Sequence, residues 1–417
     1  MSETLITGLD IGATSVRVAI AQARDDGENA GLEILHVFEQ PTEGFSRDTV
    51  SSIEDAVGSI SRCLEKAERV VGVPIQSAWV GISGTHIQTR ASRGVVAVGK
   101  MNGEISPQDF ERAIEAAKAI STPPNYEILH VIPRSCVIDG QQGIKDPIGM
   151  SGVRLEVDTR IVQGLSSQIK NFTKCIYKAG IEIDDLVFSL LAAAEATLTT
   201  RQKELGVVLI DIGGATTGVA VYEEGELLHS FVLPLGSDHI TSDIAIGLRV
   251  SLEVAERIKV EYGTLLTKQI QKKDEIDLSL IDPAEKGYIA HKYIAEILEA
   301  RVEEIFDRVE SELKRIGRSG LLPAGAVLSG GGAKLPGIAD CAKRRLRLSS
   351  SLAHLKATII GGEHLRDPRY ITVTGLCYWG WHAQQRKEKK MSFSSINTTS
   401  AADVKGRVKK WLKALLP

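Results

Sequence analysis

Two aspartates, Asp10 and Asp211, stand in matching local settings about half a chain apart. The second lies in Val207-Val-Leu-Ile-Asp211-Ile-Gly-Gly-Ala-Thr-Thr-Gly-Val-Ala-Val221, an apolar run, a turn of small residues and a second apolar run. This pattern predicts a strand-turn-strand phosphate clamp. Gly213 and Gly214 let backbone N–H groups approach an anion, Thr216 and Thr217 add hydroxyl donors, and Asp211 can hold a hydrated cation over the phosphates. One isolated copy reads equally as an ordinary hairpin with a glycine turn. The second copy, Leu5-Ile-Thr-Gly-Leu-Asp10-Ile-Gly-Ala-Thr-Ser-Val-Arg-Val-Ala-Ile20, shifts that balance, with Gly12, Ala13 and Thr14 in its turn. The chemistry implied is the binding of a nucleotide, with Mg²⁺ held through water by Asp10 and Asp211.

Such a pair of clamps requires a duplicated fold whose halves face each other across one cleft. A third glycine turn follows the short apolar run Gly325-Ala-Val-Leu-Ser329: Gly330, Gly331 and Gly332 with Lys334, a place where a flat base or ribose can lie against backbone. Between the second and third turns, Thr241 to Gly263 predicts a helix pair that places Glu256 and Lys259 on one face.

The ordered set Asp10-Ile-Gly-Ala-Thr, Asp211-Ile-Gly-Gly-Ala-Thr-Thr and Leu328-Ser-Gly-Gly-Gly-Ala-Lys-Leu-Pro-Gly-Ile338 resembles the actin-type ATPase superfamily. Within it, Glu204-Leu-Gly, Thr241-Ser-Asp-Ile-Ala-Ile-Gly-Leu-Arg249 and Ala255-Glu-Arg-Ile-Lys259, together with a basic tail, resemble the FtsA family of bacterial cell-division proteins, essentially end to end. The resemblance implies an α/β, duplicated actin-like two-lobed ATPase fold with an inserted small α+β subdomain and a C-terminal amphipathic helix. It assigns Glu256 and Lys259 to the ribose and base, and Arg301 to contact with the C-terminal tail of the tubulin-like division protein FtsZ. It further implies self-association into filaments, other division proteins as partners, and a site on the cytoplasmic side of the cell membrane. Three departures bear on hydrolysis. Ser15 stands where the family commonly has Lys, Gly218 where it has Asp, and Ser189-Leu190 where it has Gln-Pro. An ATPase needs a polar group to orient water, so the resemblance implies ATP binding with at most weak turnover. A sugar or acetate kinase of the same superfamily would need an acid to deprotonate its acceptor, and a relative of the pilus adaptor PilM would lack a detached basic tail.

Length and composition agree with a two-lobed protein. A chain of 417 residues exceeds one ordinary core, and 43% hydrophobic with 25% charged residues is ordinary for a globular protein. A net charge of −3 gives no sign of a nucleic-acid surface. The five cysteines, never in a Cys-x-x-Cys pair, predict free thiols and no zinc site. No run approaches the roughly eighteen apolar residues of a membrane span, and no secretory signal opens the chain.

The elements that must carry the site are predicted as follows. Residues 1–83 and 165–200 form the first lobe, with strands at Leu32 to Phe38 and Ser77 to Ser83 and helices over Ser51 to Val71, Gln168 to Ala179 and Val187 to Thr200. Residues 84–164 form the insertion, whose one helix is signed by Ser106, Pro107 and Asp109. Residues 201–382 form the second lobe, with a long helix over His291 to Ile316, a polar loop from Thr358 to Arg369 and a closing helix over Tyr370 to His382. A flexible linker is predicted over 383–403, poor in apolar residues. In residues 404–417, Val404, Val408, Trp411, Leu412, Leu415 and Leu416 recur at helical spacing while Arg407, Lys409, Lys410 and Lys413 take the remaining face. That arrangement predicts a helix lying on an anionic lipid surface.

Overall fold

Both aspartate hairpins form, and each opens a sheet of the same order. The structure is a computed structural model that describes residues 5–24, 31–46, 49–100, 102–121, 123–271, 273–283, 285–356 and 358–394. In the first lobe the strands run Glu182–Phe188, Ser77–Ile82, Leu5–Ile11, Ser15–Arg24, Gly31–Pro41 and Ile359–Ile360. In the second they run Ser350–Leu352, Ala326–Ser329, Val207–Ile212, Thr217–Glu223 and Glu226–Leu233. In each sheet the strand that carries the aspartate is antiparallel to its hairpin partner and parallel to the strand on its other side. The register is matched as well: Asp10 lies opposite Arg17, and Asp211 opposite Gly218.

Between the sheets lies the helix Ser189–Thr197, buried on nearly every side, as its run of Leu and Ala residues requires. It packs on strands of both lobes, and its Leu190, Leu191 and Ala194 share one core with Leu9 and Val18 of the first lobe and Leu209 and Ala220 of the second. The expected helix over Val187 to Thr200 is therefore shorter. Val187 and Phe188 end the strand Glu182–Phe188, which pairs with Ser77–Ile82. On the outer face of the first sheet, the helix Ile53–Val71 starts at Ser52, whose side chain accepts from the Asp55 N–H, and stops at Gly72 in the left-handed conformation.

The insertion is a four-stranded sheet in the order Ile87–Ala97, Arg154–Leu165, Tyr126–Ile138, Gln141–Ile144, with the helix Pro107–Ser121 laid against it. Ile105, Phe110, Cys136, Leu155 and Val157 give it a small core of its own. Asp109 fixes the helix start. Its carboxylate accepts from the Ser106 N–H at 2.9 Å and the Ser106 hydroxyl at 2.6 Å.

The end of the chain departs from the expected division. Ile359–Ile360 joins the first sheet beside Gly31–Pro41, and the last helix, Ile371–Ser394, packs on the first lobe rather than closing the second. Val373, Leu376, Cys377 and Trp381 bury against Ile6, Ala19 and Trp79. The approach is close: a β-carbon on Gly8 would lie 2.6 Å from the carbonyl oxygen of Val373, so the helix backbone rests on the strand. The same helix runs on to Ser394, twelve residues beyond His382, so the first part of the expected linker is helical. The remainder of that linker and the tail helix over 404–417 lie outside the described residues. Among the described residues no helix is long and apolar enough to cross a membrane.

Candidate functional site

The two clamp turns have the same internal geometry. The Gly12 N–H donates to the Ser15 carbonyl at 3.0 Å, and the Gly213 N–H to the Thr216 carbonyl at 2.9 Å. They also meet. A β-carbon on Gly214 would lie 2.5 Å from the Thr14 methyl group and 2.9 Å from an Asp238 carboxylate oxygen, so any other residue there would push aside Thr14 of the facing lobe and Asp238. Behind the second turn sits the start of the helix Ser237–Leu248, with the Ser237 and Asp238 N–H groups donating to the Gly213 and Gly214 carbonyls, each at 2.9 Å.

A cavity of about 720 Å³ opens between the lobes, large enough for a nucleotide. Asp10, Gly12, Ala13 and Thr14 line it from the first lobe, and Asp211, Gly213, Gly214, Thr216, Glu256, Lys259, Gly330, Gly331, Gly332 and Lys334 from the second. Thr217 is the exception. Its side chain is buried, and its hydroxyl donates to the Leu235 carbonyl at 2.7 Å, because alternate residues of a strand face opposite ways and Thr216 takes the cleft side.

The third turn is pressed against the second clamp. Gly330 has φ of 84°, and a β-carbon there would lie 2.4 Å from both Asp211 Oδ1 and the Ile212 carbonyl. Only glycine meets both conditions. Lys259 is buried at 8% exposure, with its ammonium 2.6 Å from Glu256 Oε2 and 2.8 Å from the Thr241 hydroxyl. The buried ammonium is thus anchored in the cleft wall, while its partner Glu256 stays exposed to the cleft mouth.

Five charged residues of this cleft escaped the sequence reading: Arg17, Glu39, Asp238, Glu261 and Arg369. Arg17 reaches back along the hairpin to Asp10 at 3.6 Å and pairs with Glu39 at 2.9 Å. Arg369, on the turn before the last helix, lies 3.4 Å from Glu39 and 3.0 Å from Asp367, which also pairs with Lys334 at 2.6 Å. Burial pushes the Glu39 carboxyl up, but Arg17 and Arg369 outweigh it and hold the group below its usual range. For Asp238 burial prevails over the nearby Lys259 and raises the pKa.

The donor set suits a hydrated divalent ion. Asp10 and Asp211 both face the cavity, while no group of three or more metal-ligating side chains exists among the described residues. Mg²⁺ would therefore be held through water and phosphate oxygens, as is usual for this ion, and would supply charge neutralisation between the phosphates and the two carboxylates.

A second, shallower groove of about 380 Å³ lies on the second lobe, lined by Asp243, Ile246, Gly247, Tyr293, Ile297, Ala300, Arg301 and Glu304. Arg301 is fixed there by a two-pronged pair with Asp243, at 2.6 and 2.9 Å, and by Glu304 at 2.6 Å. Ile246, 77% exposed, stands beside it.

Comparison with known proteins decides the family. The chain is 35% identical to the cell division protein FtsA of Pseudomonas aeruginosa over 417 residues, covering 99% of this chain and 98% of that protein. The chain belongs to the FtsA family. It is 38% identical to FtsA of Bacillus subtilis over 93% of this chain and 86% of that one, and 30% identical to FtsA of Escherichia coli K12 over 98% and 97%. Residues 208–375 match the family model for cell division protein FtsA, and residues 84–163 match that for the SHS2 domain inserted in FtsA. Among solved structures, the PilM-PilN type IV pilus biogenesis complex covers 90% of this chain and 98% of its own at a TM-score of 0.65 with 18% identity. MreB5 of Spiroplasma citri bound to AMPPNP covers 94% and 99% at 0.55 with 12% identity. At these identities both show the fold alone, and the fold is actin-like. An FtsA-family chain of this kind is a cell-division protein, and the alternative of a PilM-like adaptor rests on shape without sequence.

Proposed function

We propose that this chain binds ATP with Mg²⁺ between its two clamps, self-associates into filaments at the division site, and ties FtsZ polymers to the inner face of the cytoplasmic membrane. The observation that carries the reading is the meeting of Thr14 and Gly214, which brings two glycine turns, each with an inward-facing aspartate, to one nucleotide-sized cavity. The Gly12, Gly213 and Gly214 backbone cradles phosphate, Asp10 and Asp211 take the hydrated ion, Glu256 and Lys259 take the ribose, and the Gly330–Gly332 turn takes the base. That MreB5 was solved with AMPPNP in the same fold supports the nucleotide assignment. Turnover is weak at most, because at position 218 there is no side chain to orient water.

FtsZ is assigned to the groove around Arg301, where an exposed isoleucine and a fixed guanidinium suit a short peptide with apolar and acidic residues. Head-to-tail contacts that repeat without closing would give the filament. Attachment to anionic lipid falls to residues 404–417, at about 1 kcal/mol per cation near the surface, and is multiplied when many tails share one polymer. The test is co-sedimentation with vesicles containing anionic lipid, with and without Mg·ATP, for the full chain, Trp411→Glu and a chain ending at Ala402. Loss of binding in both variants, with salt sensitivity in the full chain, is expected. Equal sedimentation of all three would refute the tail as the anchor.

A further inference from the structure

The inserted subdomain grows out of the first lobe, yet it touches both. On the first-lobe side, the Phe188 N–H donates to His130 Nε2 at 2.9 Å, and the His130 ring meets Trp379 of the last helix edge-on at 5.5 Å. Phe188 directly precedes Ser189, which lines the cleft. Both chain connections of the subdomain also run to this lobe, before Ile87 and after Leu165.

On the other side, the subdomain lies along the edge strand of the second lobe. The Thr89 and Ser230 hydroxyls are hydrogen-bonded, Arg160 Nε donates to the Leu228 carbonyl at 2.8 Å, and Lys145 Nζ donates to the Glu224 carbonyl at 3.0 Å. The two attachments differ in kind. The first is covalent, aromatic and tied to a neutral histidine; the second rests on hydrogen bonds and the Arg134–Glu224 ion pair at 4.0 Å, with no chain connection between the two bodies.

A body fixed to one lobe and lightly seated on the other is sensitive to the angle between them. We propose that the inserted subdomain is a clasp over the lobe junction, anchored through His130 and Phe188 and seated through Thr89, Arg160 and Lys145, so that nucleotide in the cleft and the seat on Glu226–Leu233 bias each other. This rests on the nucleotide reading given above. Ligand in the cleft contacts both clamps and so sets the lobe angle; the seat reads that angle at the edge strand paired with the clamp strand Thr217–Glu223, and the surface the subdomain presents to other molecules changes with it. Linkage makes the relation reciprocal: the factor by which nucleotide favours or disfavours the seat is the factor by which a locked seat alters nucleotide affinity.

The full chain carrying Thr89→Cys and Ser230→Cys tests this. The hydrogen-bonded side chains lie within disulfide reach; Ser230 is buried like the five native cysteines, but the half-buried Thr89 position opens the new pair to oxidised glutathione. ATP affinity is measured with the pair oxidised and again after reduction, and the disulfide yield in a glutathione buffer is measured with and without Mg·ATP. The expected result is at least a threefold difference in affinity between the two forms, abolished by reductant, with a matching shift in disulfide yield. Equal affinity in both forms overturns the clasp while leaving nucleotide binding intact, and a pair that does not oxidise overturns the seat itself. Absence of ATP binding in the unmodified chain sinks the nucleotide reading and the clasp with it.

Discussion

Leu190 fills the space that a side chain on residue 218 would need. A β-carbon on Gly218 would lie 2.7 Å from Leu190 Cδ2 and 3.1 Å from Cδ1 and Cγ, so the first-lobe helix plugs the strand opposite Asp211. The expected doubt about hydrolysis thus acquires a physical form: besides the missing polar group at 218, an apolar side chain from the other lobe occupies its place. Gly218→Asp alone should overpack the junction and cost about 1–3 kcal/mol, seen as a fall in Tm. Gly218→Asp with Leu190→Ala should recover part of that loss. Phosphate release by the unaltered chain should stay at least about tenfold below the roughly 10 s⁻¹ of a median enzyme, and rapid release would overturn the weak-turnover reading.

Asp211→Ala and Thr217→Val should separate binding from support. Removing a cleft carboxylate should weaken Mg·ATP by at least about tenfold, or ~1.4 kcal/mol, read as loss of the nucleotide-induced rise in Tm. Removing the Thr217 hydroxyl strands the Leu235 carbonyl and should cost about 1–2 kcal/mol of stability, with the nucleotide-induced rise preserved. A Thr217→Val chain that folds normally but loses ATP would return that residue to the site.

His130 predicts a pH dependence. Burial pushes its pKa down from an ordinary value near 6.5 to about 4, and in the fold it must be neutral to accept from the Phe188 N–H. Between these values the unfolded chain binds the extra proton, so stability falls as pH drops from about 6.5 toward 4. The loss is of order 3 kcal/mol. Urea melts across this window should show a smaller pH slope for His130→Gln, and an unchanged slope would contradict the assignment.

Arg301→Glu should abolish binding of a peptide with the FtsZ C-terminal sequence, measured by fluorescence anisotropy, while leaving the nucleotide-induced rise in Tm unaltered. Asp243 and Glu304 already pair with this arginine, so the charge reversal also costs stability. Asp243→Asn with native Arg301 is the companion variant, because it leaves the guanidinium paired with Glu304 alone and should strengthen binding of an acidic peptide. Unchanged peptide binding in both variants would remove FtsZ from this groove.

The clamps were legible because their chemistry sits in adjacent residues: an acid, glycines and hydroxyls between two apolar runs. Arg17, Glu39 and Arg369 were not. Each is a common charged residue on a strand or turn, and only pairing across a hairpin or the return of the chain after the third turn brings it to the cleft. Thr217 shows a finer limit, since two neighbouring threonines look alike in sequence while the pleat sends one inward. The strand Glu182–Phe188 hid behind Asp184 and Asp185, which face outward at the sheet edge, and its apolar end blended into the buried helix that follows. The last helix gave a clear apolar stripe but no sign of which lobe would receive it.

That destination bears on how the chain is built. The second lobe, from Val207 to Leu352, and the insertion, from Gly84 to Leu165, are continuous stretches, and each has a core drawn from its own residues. The first lobe is assembled from three separate stretches, and the side of its sheet that holds Ile6 and Trp79 is covered largely by the last helix, through Val373, Leu376, Cys377 and Trp381. During synthesis, which proceeds from the N-terminus, the strand that carries Ile6 is made long before the helix that covers it. The first lobe is therefore completed only after the insertion and the second lobe have been made, and both are free to fold while it stands open.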